Sequence, residues 1–237
     1  MKQISCVFAL IVGLAEFGTP ATKPTFANEQ LRYTINWPSG LSLGEGQLSA
    51  MRSKPDGELP DRLSMELNID AAIPGFQVLD HYRSSASADF CSVEFTKNTT
   101  HGKKKAEEKT VFDAEKQVAA RVTAGGGKSE LKTPLCGRDA LAFLYFVRNE
   151  LSQGRLPPSQ PVFFGSAYNI RLEYTGTQSI RLADTPVEAD RLTAALKGPS
   201  ADVNFEIFFL KNKARTPALV RVPFKMGTFY MELVREP

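Results

Sequence analysis

The sequence predicts an all-β protein: a single curved antiparallel sheet, open or half-barrel in form, with one helix near residues 139–153. Two patterns predict it. Apolar and polar residues alternate along most of the chain, which is typical of half-buried strands. One segment instead carries apolar residues at the spacing of a helix. The length of 237 residues suits one domain behind a short leader.

The alternation is clearest in three segments, 31–37 (LRYTINW), 62–70 (RLSMELNID) and 168–176 (YNIRLEYTG). Each has one apolar and one polar face, which indicates an antiparallel sheet with one solvated side. The segment 204–210 (NFEIFFL) has apolar residues on both faces, so we expect that strand to be covered on both sides.

The closing segment, 218–234, predicts one long strand or two strands kinked near Pro223 and Gly227. Proline has no amide hydrogen to donate to a ladder, so we expect Pro223 at an edge or a bulge.

The predicted helix lies within GRDALAFLYFVRNELSQG. Asp139 can cap its start and Gly154 can end it, and its wide apolar stripe should pack on or plug the sheet. The segment 185–198 gives conflicting signals. Thr185, Pro186 and Glu188 form a capping box typical of a helix, whereas the surrounding strands favour another strand.

The N-terminus resembles a secretory leader, because Lys2 is followed by about twelve mostly apolar residues, too few to span a bilayer. We expect cleavage after Ala27, with Ala21 as a second option. The expected domains are therefore a signal peptide at 1–27 and one β-rich domain at 28–237. The product is expected to be periplasmic or extracellular, with no membrane span after cleavage.

Charge excludes one class of partner. The formal net charge is +3, and the leader removes more basic than acidic residues, so no nucleic-acid partner is expected. The stretch AGGGKSEL resembles a phosphate-binding loop only at its centre. The position five before Gly127 is Val122, and Pro134 follows too soon for a helix. We therefore predict a hairpin turn and no nucleotide.

Cys91 and Cys136 remain after leader removal, and an oxidising compartment favours a disulfide between them. Two buried unpaired thiols are the alternative. No metal site is expected, because neither His81 nor His101 stands at zinc-ligand spacing from another ligand. No cofactor is expected either.

No catalytic residue is predicted. The chain has two histidines and no serine in a nucleophile elbow, although carboxylates paired across strands could act without a sequence motif. The segment 101–109 (HGKKKAEEK) is expected to be a solvated hairpin tip, or otherwise a contact for anionic lipid or polysaccharide.

Aromatic residues are the remaining ligand candidates, because a curved sheet can enclose a small molecule. Ordinary core packing is the alternative for them. The residues considered are Trp37, Phe163, Phe164, Tyr168, Tyr174, Phe224 and Tyr230.

The order of several segments is familiar: LRYTINWPSG, YRSSASADFCSVEFTK, HGKKKAEEKTVFD, RDALAFLYFVRNELSQG and the closing ARTPALVRVPFKMGTFYMELV. With Asp139, Tyr145 and Arg148 in the helix, the chain resembles the bacterial exported family Domain of Unknown Function 3108. The resemblance implies an open-barrel-like β fold with a central helix, and it favours a strand at 187–197. It implies no activity.

From all of this we expect an exported cell-envelope protein that binds an apolar or amphipathic envelope component in its concave sheet. The alternative is an assembly module that binds an envelope protein partner. A hydrolase is the least favoured reading.

Overall fold

A computed structural model describes residues 26–53, 61–73, 76–200, 202–224 and 227–234. The predicted leader lies outside these residues except for Phe26 and Ala27. The predictions of export and of leader cleavage therefore stay predictions.

The described chain forms fourteen strands and one helix. Before the helix the strands are β1 (Glu29–Asn36), β2 (Ser42–Ser53), β3 (Arg62–Ile73), β4 (Phe76–Ser87), β5 (Ser92–His101), β6 (Lys104–Asp113), β7 (Val118–Thr123) and β8 (Lys128–Lys132). The helix is α1 (Ala140–Ser152). After it come β9 (Gln160–Phe163), β10 (Ala167–Leu182), β11 (Thr185–Lys197), β12 (Asp202–Leu210), β13 (Pro217–Phe224) and β14 (Gly227–Leu233).

All strands belong to one antiparallel sheet, in the order β8 to β1 and then β14 down to β9. The chain runs outward from β1 to one edge, crosses through α1 to the other edge, and returns to pair β14 with β1. The predicted all-β class, the single curved sheet and the helix near 139–153 are confirmed. The ambiguous segment 187–197 is a strand, because its apolar residues alternate to fill one face of β11.

Two edge strands of the sheet, β8 and β9, do not hydrogen-bond to each other in the described chain, so the barrel is open. The sheet nevertheless curls until β9 reaches β6. The rings of Phe163 and Phe112 meet edge to face with centroids 5.7 Å apart. The backbone of Phe163 also donates to the carbonyl of Arg138, 2.9 Å away, just before the helix. Side-chain packing and the start of α1 thus bridge the opening.

Short turns and one covalent link hold the β4–β8 half together. Residues 124–127 connect β7 to β8 as the predicted hairpin turn, with Gly126 at a positive φ of 80°. Cys91 and Cys136 form the predicted disulfide, with Cα atoms 4.8 Å apart. This bond ties the start of β5 to the segment before α1.

The closing segment forms two strands, β13 and β14, rather than one. Pro223 pairs with Thr228 of β14, but the ladder between β12 and β13 ends at Arg221. Pro223 therefore occupies an edge position, as its missing amide hydrogen requires. Strand β12 is covered on both sides, since Phe208 and Phe209 are both fully buried.

Candidate functional site

A cavity of about 480 Å³ lies between α1 and the concave face of the sheet. Its lining residues are apolar apart from the hydroxyl of one tyrosine. The helix contributes Ala140, Leu141, Phe143, Leu144 and Val147, β9 to β12 contribute Val162, Tyr168, Ile170, Leu172, Leu196, Phe205, Ile207 and Phe209, and the rest of the lining is Leu48, Leu67, Phe164, Pro217, Val220 and Met231.

Strand alternation explains this lining. In β12, Phe205, Ile207 and Phe209 share one face, which the helix covers only in part. Phe205 and Ile207 are therefore half-buried, whereas Phe209 is fully buried. On the helix, Leu144 is half-buried in the same way. The cavity thus keeps apolar surface accessible inside the fold, and a ligand that covered it would be stabilised by about 25 cal/mol per Å².

The aromatic residues considered as ligand contacts lie in several different parts of the structure. Tyr168 and Phe164 line the cavity. Phe163 is buried against Phe112 instead, and Tyr174 is 51% exposed on the outside, where it donates to Asp190.

The other three aromatic candidates lie on the closing strands or beside them. Trp37 follows β1 and packs edge to face on Phe229 of β14, with ring centroids 4.9 Å apart. Tyr230 is half-buried, 5.7 Å from the guanidinium of Arg221. The side chain of Phe224 lies outside the described residues. Neither Trp37 nor Tyr230 is among the residues that line the cavity.

Charged residues lie beside Phe164, one of the residues that line the cavity. The ammonium of Lys97 lies 4.8 Å from the centre of the Phe164 ring, which itself lines the cavity. Glu108 lies 4.0 Å from that ammonium and accepts a 2.9 Å hydrogen bond from Nε of Arg121. This hydrogen bond holds the pKa of Glu108 below its ordinary value, against the opposing effect of burial. The predicted hairpin tip at 101–109 is exposed at residues 103–107, whereas the Glu108 side chain is largely buried where it meets Arg121.

A second ionic cluster fastens β1 to the opposite side of α1. Arg148 is completely buried and donates to both carboxylate oxygens of Glu29, at 2.7 and 2.5 Å. Its Nε donates to the carbonyl of Ala214 at 3.1 Å, and the hydroxyl of Tyr145 donates to Glu29 at 2.9 Å. Burial raises the pKa of Tyr145 well above its ordinary value, so this phenol remains a donor.

The ring of Phe26 completes this cluster. It is 5% exposed, meets the Tyr145 ring edge to face at 5.1 Å, and lies 4.6 Å from the Arg148 guanidinium. Because Phe26 belongs to the predicted leader, a cut after Ala27 would remove a core residue.

Asp139 caps α1 from a fully buried position. Its carboxylate accepts hydrogen bonds from the hydroxyls of Ser84 and Ser92, each 2.6 Å away, and from the amides of Leu141 and Ala142. Burial raises the pKa of Asp139, and these four donors oppose the rise. Both carboxylate oxygens of Asp139 accept hydrogen bonds from the sheet or from the helix, which indicates a structural role for this residue.

A more polar groove of about 560 Å³ lies on the other side of the sheet, where Gln47, Asn68, His81 and Asn98 alternate with the helix-facing residues. The second histidine, His101, bonds Asp80 at 2.8 Å, and Asp80 also accepts from the Tyr82 hydroxyl at 2.8 Å. Within the described ranges no three His, Cys, Asp or Glu side chains are grouped so as to hold a metal ion. No helix in the described part of the chain is long and apolar enough to span a bilayer.

Comparison with protein families shows a match of residues 32–234 to the family described as "Protein of unknown function (DUF3108)". The chain belongs to this family. The resemblance seen in the sequence is therefore confirmed. No curated protein matches the sequence.

Among solved structures, this DUF3108 protein is similar to a beta-barrel-like protein of Domain of Unknown Function DUF1849 from Brucella abortus. The two share 8% sequence identity with a TM-score of 0.59, over 88% of this chain and 96% of the other. At that identity the likeness concerns the fold alone.

Asp139, Tyr145 and Arg148, the helix residues that carried the resemblance, hold the scaffold in this protein. Asp139 caps the helix, while Tyr145 and Arg148 bind Glu29. None of the three lines the cavity. Sequence reasoning missed the partner, Glu29, because a carboxylate in an alternating strand gives no sign that a buried arginine from a distant helix will meet it.

Proposed function

We propose that this protein is an exported binding protein, which holds an apolar or amphipathic molecule of the cell envelope between α1 and the concave sheet. The apolar cavity of about 480 Å³ supports the proposal, since it falls within the roughly 300–1,000 Å³ of ordinary ligand sites. The position of the lining also supports it. Half-buried apolar residues such as Leu144 and Ile207 face this space, while Glu206 points to the other side of β12, where it pairs with Arg191.

The first experiment is native mass spectrometry of the protein purified from its own cell envelope, followed by solvent extraction. A stoichiometric lipid-like adduct is expected, and extraction should release it. Empty protein that also fails to bind added alkyl chains would contradict the proposal.

A cavity-filling variant makes the test specific. Leu144→Trp places an indole in the space beneath the helix, so the adduct should disappear. Leu41→Trp is the matched control, because the Leu41 side chain is 60% exposed on the surface. Equal loss of ligand in both variants would point away from the cavity.

Chain length gives an independent measurement. Each buried methylene contributes about 0.8 kcal/mol, so each added carbon should tighten binding of a homologous alkyl series roughly fourfold until the cavity is full. Affinity that does not depend on chain length would argue against an enclosed apolar site.

The sheet edges favour this function over an assembly module that adds a partner strand. The free edge β8 has the sequence KSELK and is largely exposed. Charged edge strands, lysine above all, oppose pairing with another chain.

A further inference from the structure

We propose that the bound molecule is an amphiphile with an anionic headgroup, a carboxylate or a phosphate on one apolar chain, and that Lys97 recognises that group. This inference rests on the proposed function and adds the headgroup to it.

The first support is position. Leu48, Leu67, Tyr82 and Lys97 form one row across β2, β3, β4 and β5, on the face that α1 covers. Leu48 and Leu67 line the cavity, and neighbouring strands lie about 4.8 Å apart, so Lys97 stands two strands, or roughly 10 Å, beyond Leu67. Phe164 spans this gap: it lines the cavity and contacts the Lys97 ammonium. The apolar row therefore ends at a positive charge.

The second support is the unusual state of this lysine. Its side chain is 21% exposed, against 55% for Lys109 on the neighbouring strand. An ammonium that is largely removed from water is stabilised by a close anionic partner. Among the described residues the nearest carboxylate oxygen, on Glu108, is 4.0 Å away, which is too long for a hydrogen bond.

The surrounding charges leave the ammonium available. Glu108 is already engaged by Arg121 at 2.9 Å, so these three residues carry one net positive charge. Asp80, which lies one position along on the same face of the neighbouring strand β4, accepts from the Tyr82 hydroxyl and pairs with His101. A ligand carboxylate or phosphate would supply the missing close acceptor, and charge-assisted hydrogen bonds are the stronger kind.

The experiment compares amphiphiles of one chain length. Decanoate, decyl phosphate, decanol and decyltrimethylammonium each displace an uncharged apolar dye, N-phenylnaphthylamine, from the delipidated full chain. We expect at least one anionic chain to bind roughly tenfold or more tightly than decanol, and the cationic chain to bind least. The ratio of decanoate to decyl phosphate separates the two sources of negative charge.

Charge variants assign the preference to one residue. Lys97→Met keeps the length and the contact with Phe164 but removes the charge, so the anionic chains should lose their preference over decanol. Lys97→Arg should keep the preference. Lys109→Met removes the same charge from an exposed position on β6 and should change nothing.

The outcomes separate this inference from the proposed function. If decanol binds and Leu144→Trp abolishes its binding, the cavity is a ligand site. Equal affinity for decanoate, decyl phosphate and decanol would then overturn the headgroup inference alone, as would equal effects of Lys97→Met and Lys109→Met. If no chain binds, both proposals fail.

Discussion

Removing the charge of Arg148 should destabilise the protein more than any change on its surface. Arg148 is buried between Phe26 and Tyr145 and donates to both oxygens of Glu29. The substitution Arg148→Met keeps the apolar part of the side chain but leaves the largely buried Glu29 carboxylate without the guanidinium that pairs with it. It also deprives the Ala214 carbonyl of its donor.

The expected loss is about 3–5 kcal/mol, the range for removing one partner of a buried ion pair. That is a large part of the roughly 5–15 kcal/mol that stabilises an ordinary domain. The double variant Glu29→Gln/Arg148→Met should be less destabilised than the sum of its two single variants, by about 1 kcal/mol or more, because neither remaining group is then a buried unpaired charge.

Urea unfolding followed by far-ultraviolet circular dichroism measures these free energies, provided that the slope against urea is unchanged. Arg155→Met is the matched control. Arg155 pairs with Glu150 near the end of the same helix, but it is mostly exposed, so its loss should leave the unfolding midpoint in place. A loss below about 1 kcal/mol for Arg148→Met, or strict additivity with Glu29→Gln, would refute the reasoning.

Three further predictions concern the rest of the scaffold. Replacing Cys91 and Cys136 by serine opens a loop of 45 residues and should cost roughly 4 kcal/mol in urea unfolding; an unchanged midpoint would mean that the bond does not constrain the unfolded chain. Arg121 keeps the pKa of Glu108 below its ordinary 4.5, so the stability that this carboxylate provides is present above pH 4.5 and is lost as the pH falls further. The Glu108→Gln variant should therefore lose less stability than the wild type between pH 5 and pH 3. Equal losses in the two proteins would show that protonation of Glu108 does not destabilise the fold. Cleavage after Ala21, the second option in the sequence, would retain the buried Phe26, so protein recovered from the cell envelope is expected to have an intact mass that begins at Thr22; a mass that begins at Asn28 would contradict this.

Much of the fold could be predicted from the sequence because strand alternation is a local signal. The apolar face of β3 or β10 can be recognised from consecutive residues alone. The segment of β11 shows the limit of local signals. Its capping box favours a helix, but Leu192 and Ala194 are fully buried against neighbouring strands, and this tertiary packing outweighs the local preference.

The sequence predicts the type of candidate site, but not most of the residues that form it. A curved sheet with many inward aromatic residues predicts an interior, and Phe164 and Tyr168 do line it. Which other residues meet there depends on how far the sheet curls and on where α1 lies. Lys97 and Glu108 show this dependence. In sequence they resemble other charged residues of a hairpin. Glu108 obtains its partner from Arg121 of the neighbouring strand β7, and Lys97 contacts Phe164 only because the sheet curls.

Two faces of α1 make different contacts. Tyr145 and Arg148, one turn apart, point toward Glu29 and hold the N-terminal strand. Leu144 and Val147, each one position earlier in the chain, point into the cavity. Under the proposed function, a change of ligand would therefore require new apolar side chains on the second face, with the first left intact. Tyr145 and Arg148 would still hold the sheet around the helix, while the apolar lining and the charge of Lys97 would select the ligand.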